Sequence, residues 1–132
     1  FEKSSLHSLA NVFFLGRKDE KALPGYVNHF DVCLNPQLVN QLTIGNYPRK
    51  VDEYLAAGKP VVATRTETME AFANCTYLCS NVEDYLLAIE KALAEDDRDA
   101  VKMRKDVAAS HSWENSIAAF YEAVYKLNKK NQ

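Results

Sequence analysis

Between residues 43 and 53 the chain sets a glycine, a proline, two cations and a carboxylate where an anion would meet them: Thr43-Ile44-Gly45-Asn46-Tyr47-Pro48-Arg49-Lys50-Val51-Asp52-Glu53. Pro48 suits the first turn of a helix, where its missing N–H has no partner to lose, so a helix is expected to open there. Gly45 lets the backbone come close to a ligand, and the unpaired N–H groups of a helix start attract phosphate. Arg49 and Lys50 stand in that first turn, where each cation opposes the helix dipole by about 0.3–1 kcal/mol, a cost that a bound anion removes. Glu53 lies four residues beyond Arg49 and three beyond Lys50. Its carboxylate therefore reaches the same mouth and can accept hydrogen bonds from both hydroxyls of a ribose. By spacing alone the plainer readings lead: Arg49 and Lys50 as solvated surface cations, and Glu53 as an ion partner of Lys50 worth well under about 1 kcal/mol.

The elements that must position these groups follow from the apolar pattern. Four short apolar runs read as strands: Asn11–Gly16, Asp31–Pro36, Pro60–Thr64 and Thr76–Ser80. None alternates apolar with polar, so burial on both faces of a parallel sheet is expected. Helical stripes separate them: Leu23, Tyr26, Val27 and Phe30, then Val51, Tyr54, Leu55 and Gly58, then a short pattern over 69–73. Gly58 should stop the second helix, with Pro60 opening the next strand. Asn81 should cap a helix whose stripe is Val82, Tyr85, Leu86, Ile89 and Leu93, with Asp84 returning the capping bond. A helix near 99–109, a break at Ser110-His111-Ser112 and a last helix with Trp113, Ile117, Phe120, Val124 and Leu127 on one side complete the chain. Trp113, Phe120 and Tyr121 read as core. The whole predicts an open, mainly parallel, Rossmann-like α/β sheet with helices on both faces and a helical tail. Ligands of such a sheet bind beyond the carboxyl ends of the strands, which draws attention to Arg17-Lys18-Asp19-Glu20, residues 36–48 and Arg65-Thr66-Glu67.

Length and composition exclude several classes. At 132 residues and 47% apolar content the chain fits one domain and is too short for two. Sixteen basic against eighteen acidic residues give a net charge of −2, which argues against a nucleic-acid binder held by bulk charge. The first half, 1–65, carries +2 and the second −4, enough only to permit an anionic ligand on the first half. No run is long enough for a membrane span, and Phe1-Glu2-Lys3-Ser4-Ser5 is no export signal. Cys33, Cys75 and Cys79 cannot all pair and do not have zinc-ligand spacing, so a reducing, cytoplasmic setting is expected. His7, His29 and His111 are scattered and fit surface or helix-end positions better than catalytic ones.

Pro48-Arg49-Lys50-Val51-Asp52-Glu53-Tyr54-Leu55-Ala56-Ala57-Gly58-Lys59-Pro60-Val61-Val62 resembles the donor-binding signature P-x-K-x-x-E-Y-L-A-x-G-K-P-V-V of the group 1, retaining glycosyltransferases of the GT-B fold. Asn11–Gly16, Leu23-Pro24-Gly25-Tyr26 and Phe30–Pro36 resemble the family segments that precede it, and Ser112-Trp113-Glu114 its usual C-terminal end. The resemblance covers about residues 9–125 and is specific enough to displace the plainer readings above.

It implies an intracellular enzyme that transfers a sugar from a nucleotide-diphosphate donor to an acceptor, with no cofactor and no metal required in the donor site. Glu53 matches the acid that holds the ribose hydroxyls, and Lys50, beside Arg49, the lysine near the diphosphate. The backbone of Gly45, Asn46 and Tyr47 matches the loop facing the phosphates and donor sugar, and Arg17 and Lys18 the position that meets the base. Many relatives carry a second acid eight residues before the glutamate, where this chain has Gly45, so the contact with the donor sugar is unassigned. The resemblance further implies that residues 1–132 are a single, N-terminally truncated GT-B donor domain, with 109–132 as a crossover-type helix and an N-terminal acceptor domain missing. The fragment alone is then expected to be inactive. The truncated sheet would leave an edge open to pairing with a second copy, and a peripheral membrane location of the parent is compatible with the family. A receiver-like phosphate- or nucleotide-binding module and a nucleotide-sugar epimerase fragment are the alternatives; the second strand ends in Asn35-Pro36-Gln37, not in a receiver's phosphoacceptor aspartate.

Overall fold

The computed structural model describes residues 4–130. Phe1–Lys3, on which part of the export-signal reading rests, and Asn131 and Gln132 at the end of the crossover segment lie outside the described residues. Three parallel strands form the sheet: β1 (Cys33–Asn35), β2 (Val61–Thr64) and β3 (Tyr77–Cys79), in the order β1-β2-β3. Cys33 pairs with Val61 and Val62 with Tyr77, so the three carboxyl ends lie along one edge.

Helices cover both faces, as the buried runs require. Val61 and Ala63 turn to one side, where they join Cys33, Val51, Leu55, Met69, Phe72 and Cys75 in the larger core. That face is built by α1 (Leu23–Asn28), α2 (Arg49–Ala56), a 3-10 segment at Thr68–Phe72 and α4 (Arg98–Ser110). Val62 and Cys79 turn the other way, against Ala88 and Ala92 of α3 (Val82–Leu93).

Local chemistry sets the ends of these elements. Gly58 has a φ of +74° and closes α2 with a paired motif: its N–H donates to Leu55 O at 2.8 Å and that of Lys59 to Tyr54 O at 3.0 Å. Asn81 Oδ1 accepts from Asp84 N at 2.8 Å and starts α3, as expected; the Asp84 carboxylate returns its bond to Ser80 N at 2.9 Å, one residue upstream. Pro48 is the cap of α2 and the helix begins at Arg49, one residue later than predicted. Beneath the sheet Arg104 of α4 is 3% exposed. Its guanidinium meets Glu95 Oε2 at 2.6 Å and lies 3.4 Å from the carbonyls of both Gly58 and Cys75.

Three expectations need correcting. Asn11–Gly16 is not a strand, so among the described residues the sheet has three strands and not four. Its apolar side chains supply strand propensity, but propensity is realised only where a neighbouring backbone completes the ladder; here Phe13 is left 77% exposed. The buried stripe of α3 is rotated: Tyr85, Ala88, Ile89 and Ala92 pack inward while Val82, Leu86 and Leu93 are exposed. Small alanines let the helix lie close to the sheet, and that geometry outranks side-chain size. The last helix, α5 (Trp113–Lys130), exists, but Trp113, Phe120 and Tyr121 are exposed and are not core. Amphipathic spacing says which side would be buried; it does not supply a neighbour.

Candidate functional site

The residues singled out by sequence fall into three neighbouring groups. Arg49 and Glu53, one turn apart on α2, line one cavity of about 640 Å³ together with Glu20 and with Leu23, Pro24 and Val27 of α1. Ala56 and Ala57 add to its apolar lining, which carries one cation and two carboxylates. Arg17 and Lys18 line a second cavity of about 590 Å³ that shares Glu20 with the first. Lys18 Nζ stands 5.5 Å from the centre of the Tyr26 ring, a cation held over an aromatic face.

Lys50 is exposed at the start of α2 but does not line the first cavity. Among the described residues no ion pair uses Arg49, Lys50 or Glu53, so the pairing of Glu53 with Lys50 that spacing favoured does not form. Two cations and a carboxylate are thus left on one helical turn without neutralising one another.

Gly45, Asn46 and Tyr47 form the chain's approach to that turn. A Cβ at Gly45 would meet nothing within 4 Å, so the backbone there is open to a ligand. The Thr68 hydroxyl donates to Asn46 O at 3.2 Å and pins the loop to the segment after β2. Deeper in the long loop Gln37 N donates to the Thr64 hydroxyl at 2.8 Å, and that hydroxyl lies 2.7 Å from Tyr85 OH. The loop after β1 is therefore tied to the end of β2 and to α3.

Sequence reasoning missed a contact here. The Tyr47 hydroxyl donates to Asp52 Oδ2 at 2.8 Å, and His111 Nδ1 lies 2.9 Å from Asp52 Oδ1. Burial, reinforced by the hydrogen bond to Asp52, pushes the Tyr47 phenol above its ordinary value. His111 does sit at a helix end, as expected, capping α4. Its partner is 59 residues away, and no local spacing signals it. Arg65, in the loop after β2, is taken up by Glu70 at 2.6 Å on an exposed surface. Among the described residues no group of three or more His, Cys, Asp or Glu side chains is placed to hold a metal ion.

A parallel sheet with helices on both faces, and a half-apolar cavity beside the helix that follows its first strand, defines a Rossmann-like α/β domain. The model of the family described as glycosyl transferases group 1 matches residues 2–95. The chain belongs to that family. Over 111 residues it is 32% identical to the "Putative teichuronic acid biosynthesis glycosyltransferase TuaH" of Bacillus subtilis (strain 168), an alignment that covers 80% of this chain and 28% of that protein. The chain thus spans little more than a quarter of that relative's length. No solved structure matches it. Family membership displaces the receiver-like and epimerase alternatives. No helix among the described residues is long and apolar enough to cross a membrane.

Proposed function

We propose that the chain is the donor-binding part of a cytoplasmic glycosyltransferase that moves a sugar from a nucleotide-diphosphate donor to an acceptor bound by a separate domain. One observation carries the reading: Arg49 and Glu53 share a largely apolar cavity of about 640 Å³, and among the described residues neither is neutralised in an ion pair. The nucleoside lies in that cavity, its base toward Leu23, Pro24 and the Arg17-Lys18 segment, and its ribose hydroxyls donate to Glu53. The diphosphate lies at the start of α2, met by Lys50, Arg49, the first N–H groups of the helix and the backbone of Gly45, Asn46 and Tyr47. In transfer these groups stabilise the charge that builds on the departing nucleotide diphosphate, and they do so without a metal in the donor site. Glu53 positions the donor and neither takes nor gives a proton.

The test is calorimetric titration of the chain with a panel of nucleoside diphosphates, repeated with Glu53→Ala. The preferred nucleotide should bind Glu53→Ala at least about tenfold more weakly, the effect of losing two hydroxyl bonds to a charged acceptor. Equal affinity in the two chains would overturn the assignment of Glu53.

A further inference from the structure

We propose that His111 is a positioning residue for the donor site, holding the Tyr47 ring through Asp52 and thereby setting the backbone of Gly45, Asn46 and Tyr47. The inference rests on the donor reading above and deepens it. Three side chains from separate parts of the chain meet: Tyr47 from the loop, Asp52 from the first turn of α2, and His111 from the junction of α4 and α5. A carboxylate only accepts, so its two oxygens take one bond each, from the Tyr47 hydroxyl at 2.8 Å and from His111 Nδ1–H at 2.9 Å. That assigns the ring proton to Nδ1, with the phenol oxygen 3.2 Å from the same nitrogen as a second, weaker acceptor.

The cluster is braced on the core. The His111 ring stands edge-on to Phe72, centroids 5.2 Å apart at 86°, and Phe72 is fully buried. The Tyr47 ring lies 6.0 Å from the same phenylalanine. The end of the loop is also met from outside by the 3.2 Å bond from the Thr68 hydroxyl to Asn46 O, and its start by that from Gln37 N to the Thr64 hydroxyl. Tyr47 immediately precedes the cap of α2, so anchoring its side chain restrains the backbone between Gly45 and the first N–H groups of the helix. His111 touches neither cavity and acts only through Asp52 and Tyr47.

The experiment separates this role from general stability. His111→Phe keeps a ring against Phe72 and loses the N–H, whereas His111→Asn keeps a donor near the position of Nδ1. Each chain is titrated with the best-binding nucleoside diphosphate of the panel and with its parent nucleoside. His111→Phe should weaken the diphosphate about fivefold to tenfold, leave the nucleoside unchanged, and be largely rescued in His111→Asn. Hydrogen exchange should quicken in residues 44–50 of His111→Phe and stay as in wild type across β2. Unchanged diphosphate affinity, or equal weakening of nucleoside and diphosphate, would overturn the positioning role while leaving the donor reading intact. A wild-type chain that binds no member of the panel would remove the donor reading itself, and the role of His111 with it.

Discussion

Replacing Arg104 by Met should cost the fold about 3 kcal/mol. The Arg104 side chain is 4% exposed and that of Glu95 13%, with 2.6 Å between their charged atoms. Breaking a buried pair by removing one partner costs about 3–5 kcal/mol, because the remaining charge is left in a poorly hydrated site. The lower end applies here, since Glu95 keeps the Tyr77 hydroxyl at 2.7 Å and some contact with water. The two carbonyl contacts at 3.4 Å are long and add little. For a chain of this size about 3 kcal/mol lowers Tm by about 10–15 °C, which calorimetry at neutral pH resolves. The pH dependence gives a second readout. The hydrogen bond from Arg104 holds the Glu95 carboxyl below the usual carboxylate range. A carboxyl depressed on folding stabilises above its unfolded value and loses that contribution as pH falls through the folded one. The gap between wild type and Arg104→Met should therefore narrow in acid. Adding Glu95→Gln to Arg104→Met should restore part of the lost Tm by removing the stranded charge. A single variant melting within about 3 °C of wild type, or a double variant no better than the single, would refute the reasoning.

Gly58→Ala should destabilise by about 2 kcal/mol, because a left-handed alanine costs about 1–2 kcal/mol. In addition its Cβ would meet Val101 Cγ1 at 2.9 Å and Lys105 Cε at 3.0 Å. Gly16→Ala is the control: φ is +67° there and nothing lies within 4 Å, so chemical denaturation should register only the backbone strain. The three cysteines are buried and free. Burial pushes the Cys33 thiol up to about 11 against the opposing charge of Lys59, and it raises Cys75 and Cys79 as well. A disulfide reagent at pH 8 should label the native chain slowly and all three thiols once urea unfolds it; a fast-reacting native thiol would contradict that burial.

Features whose cause is local were legible before the structure. The stop of α2 at Gly58 and the cap at Asn81 each depend on a few neighbouring residues, and both form. The runs that became β1, β2 and β3 were legible because continuous apolar segments between helical stripes allow few other folds. What failed depended on partners. Among the described residues Asn11–Gly16 has a strand's composition and no ladder, and α5 has an amphipathic stripe whose large apolar side chains stay exposed. On α3 the alanines at 88 and 92, not the leucines at 86 and 93, decide the inward face, because close approach to Val62 and Cys79 favours small side chains. At the site, Arg49 and Glu53 were legible through helical spacing, and they line one cavity. Asp52 was passed over and His111 read as a plain helix end, since a contact across 59 residues has no periodicity to show it.

The chain contains one tryptophan, and the fold puts it at the first residue of α5 with 77% of its surface in water. Its fluorescence is therefore nearly blind to melting of the sheet, whose core holds no indole. The same position makes it a built-in optical reporter of α5. Anything that comes to cover that helix would shift the emission toward the blue and shield it from iodide quenching. Events at the sheet would have to be followed by circular dichroism instead.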